Sequence, residues 1–304
     1  MNTFFKKLSF FIAIVAMAWI AMEIFYRTVP NNYTIKDKNI RLNYDSEVLI
    51  FGNSHAFYGL NPDYFSRKAF NLSNISQTIF YDKLLFEKHI DSCKGVKYIV
   101  LPIEYTTLSH RDDVAELEWR KYFYEAQMSI TTGRVSAFDI KKYSLALVPR
   151  VQITIKSIEK YWREGTIGEC SGKGAGSYIG INALANSETG GKETMYRHED
   201  GLLDFSKNTD RINSIIKKCS EKNIRVLLLN MPVTNYYANV VNPTKRNKII
   251  EQCNALAARE GVYYLNLFQD KRFVPADFYD SDHLNTVGEK KCSQIVSDYI
   301  NHIK

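Results

Sequence analysis

Ser54 lies in the segment Leu49-Ile50-Phe51-Gly52-Asn53-Ser54-His55, and Asp280 and His283 lie near the other end of the chain in Asp280-Ser281-Asp282-His283. A serine hydroxyl is a weak nucleophile until an imidazole takes its proton, and that imidazole needs a carboxylate to fix its tautomer. The first segment is an apolar, strand-like run ending in small residues, a pattern that lifts a serine above the edge of a sheet. The second puts a carboxylate three positions ahead of a histidine, so that one tight loop can hold both. Ser54, His283 and Asp280 therefore compose a candidate catalytic triad. Asp282 is the alternative carboxylate, ranked second because a residue adjacent to the histidine projects differently. Taken singly, each residue has a plainer role. Ser54 suits a helix N-cap, the two aspartates suit the N-terminus of the helix expected from Thr286 to Ile303, and His283 and His55 suit polar loop or packing positions.

The elements that must position these residues are legible in the hydrophobic pattern. Glu47 to Phe51, Ala69 to Leu72, Val96 to Leu101, Ile224 to Asn230 and Val262 to Leu267 read as short strands buried on both faces. Between and after them, Ile212, Ile215, Ile216 and Cys219 trace the apolar face of one helix. Ile249, Ile250, Cys253, Leu256 and Ala257 trace a second, and Cys292, Ile295, Val296, Tyr299 and Ile300 a third. Alternating strands and helices predict a three-layer α/β/α domain around a parallel, flavodoxin-like sheet of about five strands, with ligand sites at the carboxyl ends of the strands. Ser54 follows one such end directly.

Between the third and fourth strands, from about 108 to 204, the rhythm fails, and this stretch is expected to be an insertion. Its first part is aromatic, basic and mostly helical in pattern; the second, Gly165 to Gly191, reads as a long loop. It is placed to act as a lid, a substrate platform or a structural cap. Trp119, Arg120, Tyr122, Phe123 and Tyr124 suit either a sugar-binding surface or the insertion's own core. Gly172, Gly174 and Gly176 invite a phosphate-loop reading, but Ile167 stands where that motif needs glycine and Gly174 where it needs serine or threonine. The six histidines are scattered and no His/Cys cluster has metal-ligand spacing, so no metal and no cofactor is predicted. Of the five cysteines, Cys219, Cys253 and Cys292 fall on apolar helix faces, while Cys93 and Cys170 are open to disulfide formation in an oxidising compartment.

A chain of 304 residues with 45% hydrophobic content accommodates one large domain and an anchor. Leu8 to Tyr26 is an almost unbroken apolar run whose only charge is Glu23. At about 1.5 Å per residue it is long enough to cross a hydrocarbon core of about 30 Å. Lys6 and Lys7 precede it, which predicts a single-pass signal anchor with a cytoplasmic N-terminus and an extracytoplasmic body. The expected division is 1–30 for tip and anchor, and 31–304 for the catalytic domain with its insertion. The net charge of +7 is dispersed, which fits a solvated surface and argues against nucleic acid as a partner.

Gly52-Asn53-Ser54-His55 followed by Gly59-Leu60-Asn61-Pro62, with Asp280-x-x-His283-Leu284-Asn285 and Gly288, resembles the SGNH (GDSL-like) hydrolase superfamily, and most closely its membrane-anchored bacterial members with a Gly-Asn-Ser-His block. The resemblance covers about residues 47–108 and 204–304. It implies Ser54 as nucleophile, His283 as base and Asp280 as orienting carboxylate. It also implies an oxyanion donor at the backbone of Ser76, where the family has glycine. The family's next block offers an asparagine, but this chain reads Pro102-Ile103-Glu104-Tyr105; Asn74 is the nearest substitute, with Asn230 and the Tyr105 hydroxyl as others. Losing one such donor lowers kcat by about 10²- to 10³-fold. The implied function is an esterase acting on O-acyl, typically O-acetyl, esters of an extracytoplasmic glycan. The alternatives are an O-acyltransferase on a surface polysaccharide, a non-catalytic glycan- or protein-binding member, and a structural component of an envelope assembly.

Overall fold

A computed structural model describes residues 2–112 and 118–303; the part of the expected insertion at 113–117 lies outside the described residues. The elements in chain order are α1 (Asn2–Thr28), α2 (Asn32–Arg41), β1 (Val48–Ile50), α3 (Ser54–Gly59), β2 (Ala69–Asn71), α4 (Ile79–His89) and β3 (Tyr98–Pro102). The insertion follows, with α5 (Arg120–Met128), α6 (Val151–Glu164) and α7 (Glu188–His198). The chain then resumes as α8 (Ser206–Glu221), β4 (Arg225–Asn230), α9 (Asn235–Ala238), α10 (Pro243–Ala257), β5 (Val262–Asn266) and α11 (Thr286–His302). Contacts within the chain group residues 1–37 with 113–168 as one compact unit, and 38–112 with 169–304 as the other.

The larger unit is built on a five-stranded, all-parallel sheet in the order β2-β1-β3-β4-β5. Its register pairs Val48 with both Ala69 and Tyr98, Tyr98 with Arg225, and Val226 with Val262. The first three strands are buried throughout, as the apolar runs predict. Successive side chains point to opposite faces. Val48, Ile50, Val100, Leu227 and Leu229 join Ala56 of α3 and Cys292, Val296 and Ile300 of α11 in one core. On the other face Phe51 meets Phe86 of α4 edge-on, with ring centroids 6.2 Å apart. Ile212, Ile215, Ile216 and Cys219 are all buried in α8, as their spacing requires. None of the five cysteines is in a disulfide.

The smaller unit has its own aromatic core. Tyr33 stacks on Phe123 (5.4 Å) and meets Tyr124 edge-on (5.0 Å), and Tyr122, Phe123 and Tyr124 are buried. These residues are therefore core, and not a sugar-binding surface. α1 is the one helix among the described residues long and apolar enough to cross a membrane, by length and composition. α6 is well formed yet buries none of its residues.

One expectation for the insertion is corrected. The stretch read as loop from Gly165 to Gly191 ends in a helix, α7, which begins at Glu188 and is capped by the Ser187 hydroxyl accepting the Gly190 N–H (3.1 Å). The first part is mostly helical, as expected, and adds between α5 and α6 two short 3-10 turns, Ile140–Lys142 and Leu145–Leu147.

Candidate active site

The strand-to-helix turn after β1 depends on two residues before the serine. Gly52 has φ +112, a backbone conformation that a side chain disfavours, and a Cβ there would lie 3.2 Å from the Pro102 ring. Its N–H donates to Asp82 Oδ1 (2.9 Å), which also accepts from Gln77 Nε2 (2.7 Å). Burial pushes the Asp82 carboxyl up to about 7 in spite of these two donors. Asn53, not Ser54, is the N-cap of α3, and its side chain accepts the His55 N–H at 3.0 Å. The serine hydroxyl is thereby released from capping.

The same division occurs at the other half of the site. The N-cap of α11 is Asn285, whose side chain accepts from Val287 (2.9 Å) and Gly288 (3.2 Å), so neither aspartate ahead of it caps that helix. Asp280 Oδ1 accepts the backbone N–H groups of Asp282 (3.1 Å) and His283 (2.7 Å), which curls the loop tightly. Thr234 fastens the loop from outside, its N–H and hydroxyl both donating to the Ser281 carbonyl (3.1 and 2.7 Å).

Between these halves His283 Nε2 lies 2.8 Å from Ser54 Oγ, and His283 Nδ1 lies 3.1 Å from each carboxylate oxygen of Asp280. Asp282 also reaches this imidazole, with Oδ1 3.3 Å from Nδ1, and its other oxygen lies 3.2 Å from His55 Nε2. Burial alone lowers the basicity of His283. Asp282 and Asp280 outweigh it and raise the imidazole to about 10, while the same contacts hold Asp282 far below the usual carboxylate range.

His55, expected as a packing or polar loop residue, is a buried link in this cluster. Its Nδ1 faces Glu104 Oε2 at 3.6 Å, and burial raises the Glu104 carboxyl. His198 of α7 approaches Asp282 Oδ2 at 3.9 Å and lies 2.9 Å from the Tyr237 hydroxyl; burial pushes its imidazole down to about 4. No spacing along the chain joins Glu104 and His198 to this cluster, because it draws on four separate segments. The ligand-capable atoms of His55, Asp282 and His283 fall within 4.8 Å of one another, a grouping that spacing also missed.

The proposed oxyanion positions sort less evenly. The loop after β2 is tied to the serine turn, since Leu72 N–H donates to Ile50 O (2.7 Å) and Asn74 N–H to Gly52 O (3.1 Å). Ser76 in that loop has φ +52, the left-handed conformation that glycine adopts most readily. Asn74 is buried, with Oδ1 accepting the Ile75 N–H at 2.9 Å. Asn230 and Tyr105 are committed elsewhere. Asn230 Nδ2 donates to the Ile103 carbonyl, and the Tyr105 hydroxyl donates to Glu199.

Part of the insertion borders the site. Gly176 N–H donates to the Phe57 carbonyl (3.0 Å), and Thr286 N–H donates to the Tyr178 carbonyl (2.9 Å), so residues 176–178 bridge α3 and α11. Tyr178 is stacked between Tyr58 (3.8 Å) and Tyr279 (4.1 Å), and its ring meets His283 edge-on at 5.9 Å.

No protein-family model matches the chain, and no curated protein matches it. Among solved structures it is similar to a provisionally assigned platelet activating factor from Streptococcus pneumonia, with TM-score 0.41 and 14% identity, over 87% of this chain and 92% of that one. A provisionally assigned acylhydrolase from Bacteroides fragilis gives TM-score 0.40 and 12% identity over 84% and 86%. A GDSL-like lipase from Bacteroides thetaiotaomicron gives TM-score 0.40 and 10% identity over 89% and 100%.

Proposed function

We propose that the protein is a serine esterase held at a membrane by α1, with its body on the extracytoplasmic side and O-acyl esters of a glycan as substrates. The observation that carries the catalytic part is the hydrogen-bonded chain from Ser54 Oγ to His283 Nε2 at 2.8 Å and from His283 Nδ1 to Asp280 at 3.1 Å. Ser54 Oγ attacks the ester carbonyl as His283 takes its proton. Asp280 keeps the imidazole in the tautomer that presents a free Nε2 and stabilises the imidazolium that forms. His283 then gives the proton to the departing alcohol, and water, deprotonated by the same nitrogen, releases the acid and restores the serine. The backbone N–H groups of Ser54 and Ser76 are assigned to the oxyanion. The left-handed φ of Ser76 supports this, because it keeps the backbone course of the family's glycine.

The charge around His283 sets a condition on this mechanism. An imidazole raised to about 10 is protonated at neutral pH and must lose that proton before it can serve as a base. Activity therefore rises with pH, and its acid limb lies above the ordinary imidazole value of about 6.5.

Transfer of the acyl group to a sugar hydroxyl is a second reading. It differs only in what attacks the acyl-enzyme, and the half-buried rings of Tyr178 and Tyr279 beside His283 favour a sugar at that position. The test is a serine-directed fluorophosphonate probe on the full chain, compared with Ser54→Ala and His283→Ala. The expected result is labelling of the unaltered chain alone; a folded, unlabelled chain would sink the esterase reading. With an O-acetylated oligosaccharide as donor and an unacetylated one as acceptor, product found only as free acetate rejects transfer.

A further inference from the structure

We propose that residues 138–162 form a collar that lies in the outer headgroup layer of an anionic membrane, around the point where α1 emerges. This rests on the reading of α1 as a membrane-spanning helix and adds a second, surface-lying contact to it. The first observation is an uncovered amphipathic helix. In α6, Val151, Ile155, Ile158 and Trp162 recur at helical spacing and form one stripe, yet Val151 is 71% and Trp162 83% exposed. A stripe of this kind is normally buried, and nothing among the described residues buries this one.

The second observation says what covers it. α6 touches α1 at two points: the Tyr26 hydroxyl donates to Thr154 Oγ1 (2.9 Å), and Phe25 meets Tyr161 edge-on (5.7 Å). Thr154 and Tyr161 are seven residues apart, about 10 Å along α6, whereas Phe25 and Tyr26 are neighbours on α1. α6 therefore crosses α1 instead of running alongside it. With α1 spanning the bilayer, α6 lies in the plane of the membrane at the level where the apolar run of α1 ends.

The segment before α6 is fixed along the last turns of α1. Trp19 Nε1 donates to Ser144 Oγ (2.9 Å), Ser144 Oγ and the Ala146 N–H both donate to Glu23 (2.7 and 3.0 Å), and Arg27 donates to the Tyr143 carbonyl (3.2 Å). These bonds also account for the one charge in the apolar run, because Glu23 is met by donors from the collar and by Arg27 at 2.5 Å. Phe138 in this segment is 96% exposed, with Ile140 and Tyr143 also exposed. Lys141, Lys142, Lys156 and Arg163 lie among or opposite these apolar groups. An apolar stripe with a tryptophan and a basic flank is the composition of a helix at the boundary between headgroups and acyl chains, and the basic flank selects anionic lipid.

The experiment uses the full chain in vesicles of phosphatidylethanolamine and phosphatidylglycerol carrying bromine on the upper part of the acyl chains. Trp162→Phe and Trp19→Phe identify each tryptophan's share of the fluorescence by difference. Trp162 is expected to be quenched at least about twofold relative to unbrominated vesicles, as for an interfacial helix. Quenching of Trp19 without quenching of Trp162 overturns the collar and leaves the anchor standing. If neither is quenched, the spanning reading of α1 fails and the collar with it. Because Trp162 is almost fully exposed, its replacement leaves the fold intact.

Discussion

α8 and α6 are both amphipathic, and their fates differ. In α8 the stripe Ile212, Ile215, Ile216 and Cys219 is sealed within the larger unit. In α6 the stripe Val151, Ile155 and Trp162 faces outward. Periodicity tells that a helix has an apolar side, but the solvent for that side is set by what the fold brings to it. For α8 the solvent is the protein's own core. For α6 it is proposed to be lipid. The contrast extends to polar groups, since the larger unit buries His55, Glu104 and Asp282 in a charged cluster, while the outward stripe of the smaller one is flanked by the exposed Lys141, Lys142, Lys156 and Arg163.

The contrast between the units fails if the proposed reaction does not reside in the larger one. Ser54→Ala is expected to lower ester hydrolysis by at least about 10³-fold, as for a serine whose histidine cannot act alone, while retention on vesicles stays unchanged; steady-state kinetics and flotation read the two. Next in size is Ile216→Ala in the buried stripe, which is expected to cost about 2–5 kcal/mol through lost burial and a residual cavity. The midpoint of denaturant unfolding in detergent measures it, and a change near zero would remove α8 from the core.

A subtler test addresses the second carboxylate. Asp282→Asn removes the stronger of the two charges that raise His283, so the acid limb of the kcat/KM profile is expected to move down toward the ordinary imidazole value. If it stays in place, Asp280 alone sets the basicity. The same shift has a stability sign. A histidine raised to about 10 in the folded state contributes stability that is complete below the unfolded value of about 6.5 and is lost as pH rises toward 10. Asp282→Asn should flatten that alkaline loss, which unfolding at pH 7 and pH 10 compares directly. The smallest effect belongs to the outward stripe: Ile155→Ser is expected to change stability in detergent by less than about 0.5 kcal/mol, because it removes no buried contact.

Much of the fold was legible because buried parallel strands leave apolar runs that need no tertiary information, and all five were found within about two residues of their ends. The serine turn was legible for the same reason, since it must follow such a run. α7 was not. Its Gly190 and Gly191 read as loop by propensity, but a Cβ on Gly191 would meet the Tyr236 carbonyl oxygen at 2.4 Å, so the glycine serves a close approach of backbones. The Asp282 cluster was illegible in a deeper sense. His55 follows the serine, Glu104 follows β3 and His198 ends α7, so no linear pattern could join them to Asp282. Glu104 appeared in the sequence only as a missing asparagine, and folding gives it a partner of its own in His55.

The two asparagine caps have a consequence for how such a protein can change over time. Because Asn53 and Asn285 cap the helices, the residues proposed to react beside them are not also holding those helix ends. A descendant could exchange Ser54 for alanine and keep both caps in place. The architecture and the proposed reaction are therefore separable: if Ser54 is the nucleophile, a lineage can retire the chemistry in one step and keep the same body, or regain it by a single reversal.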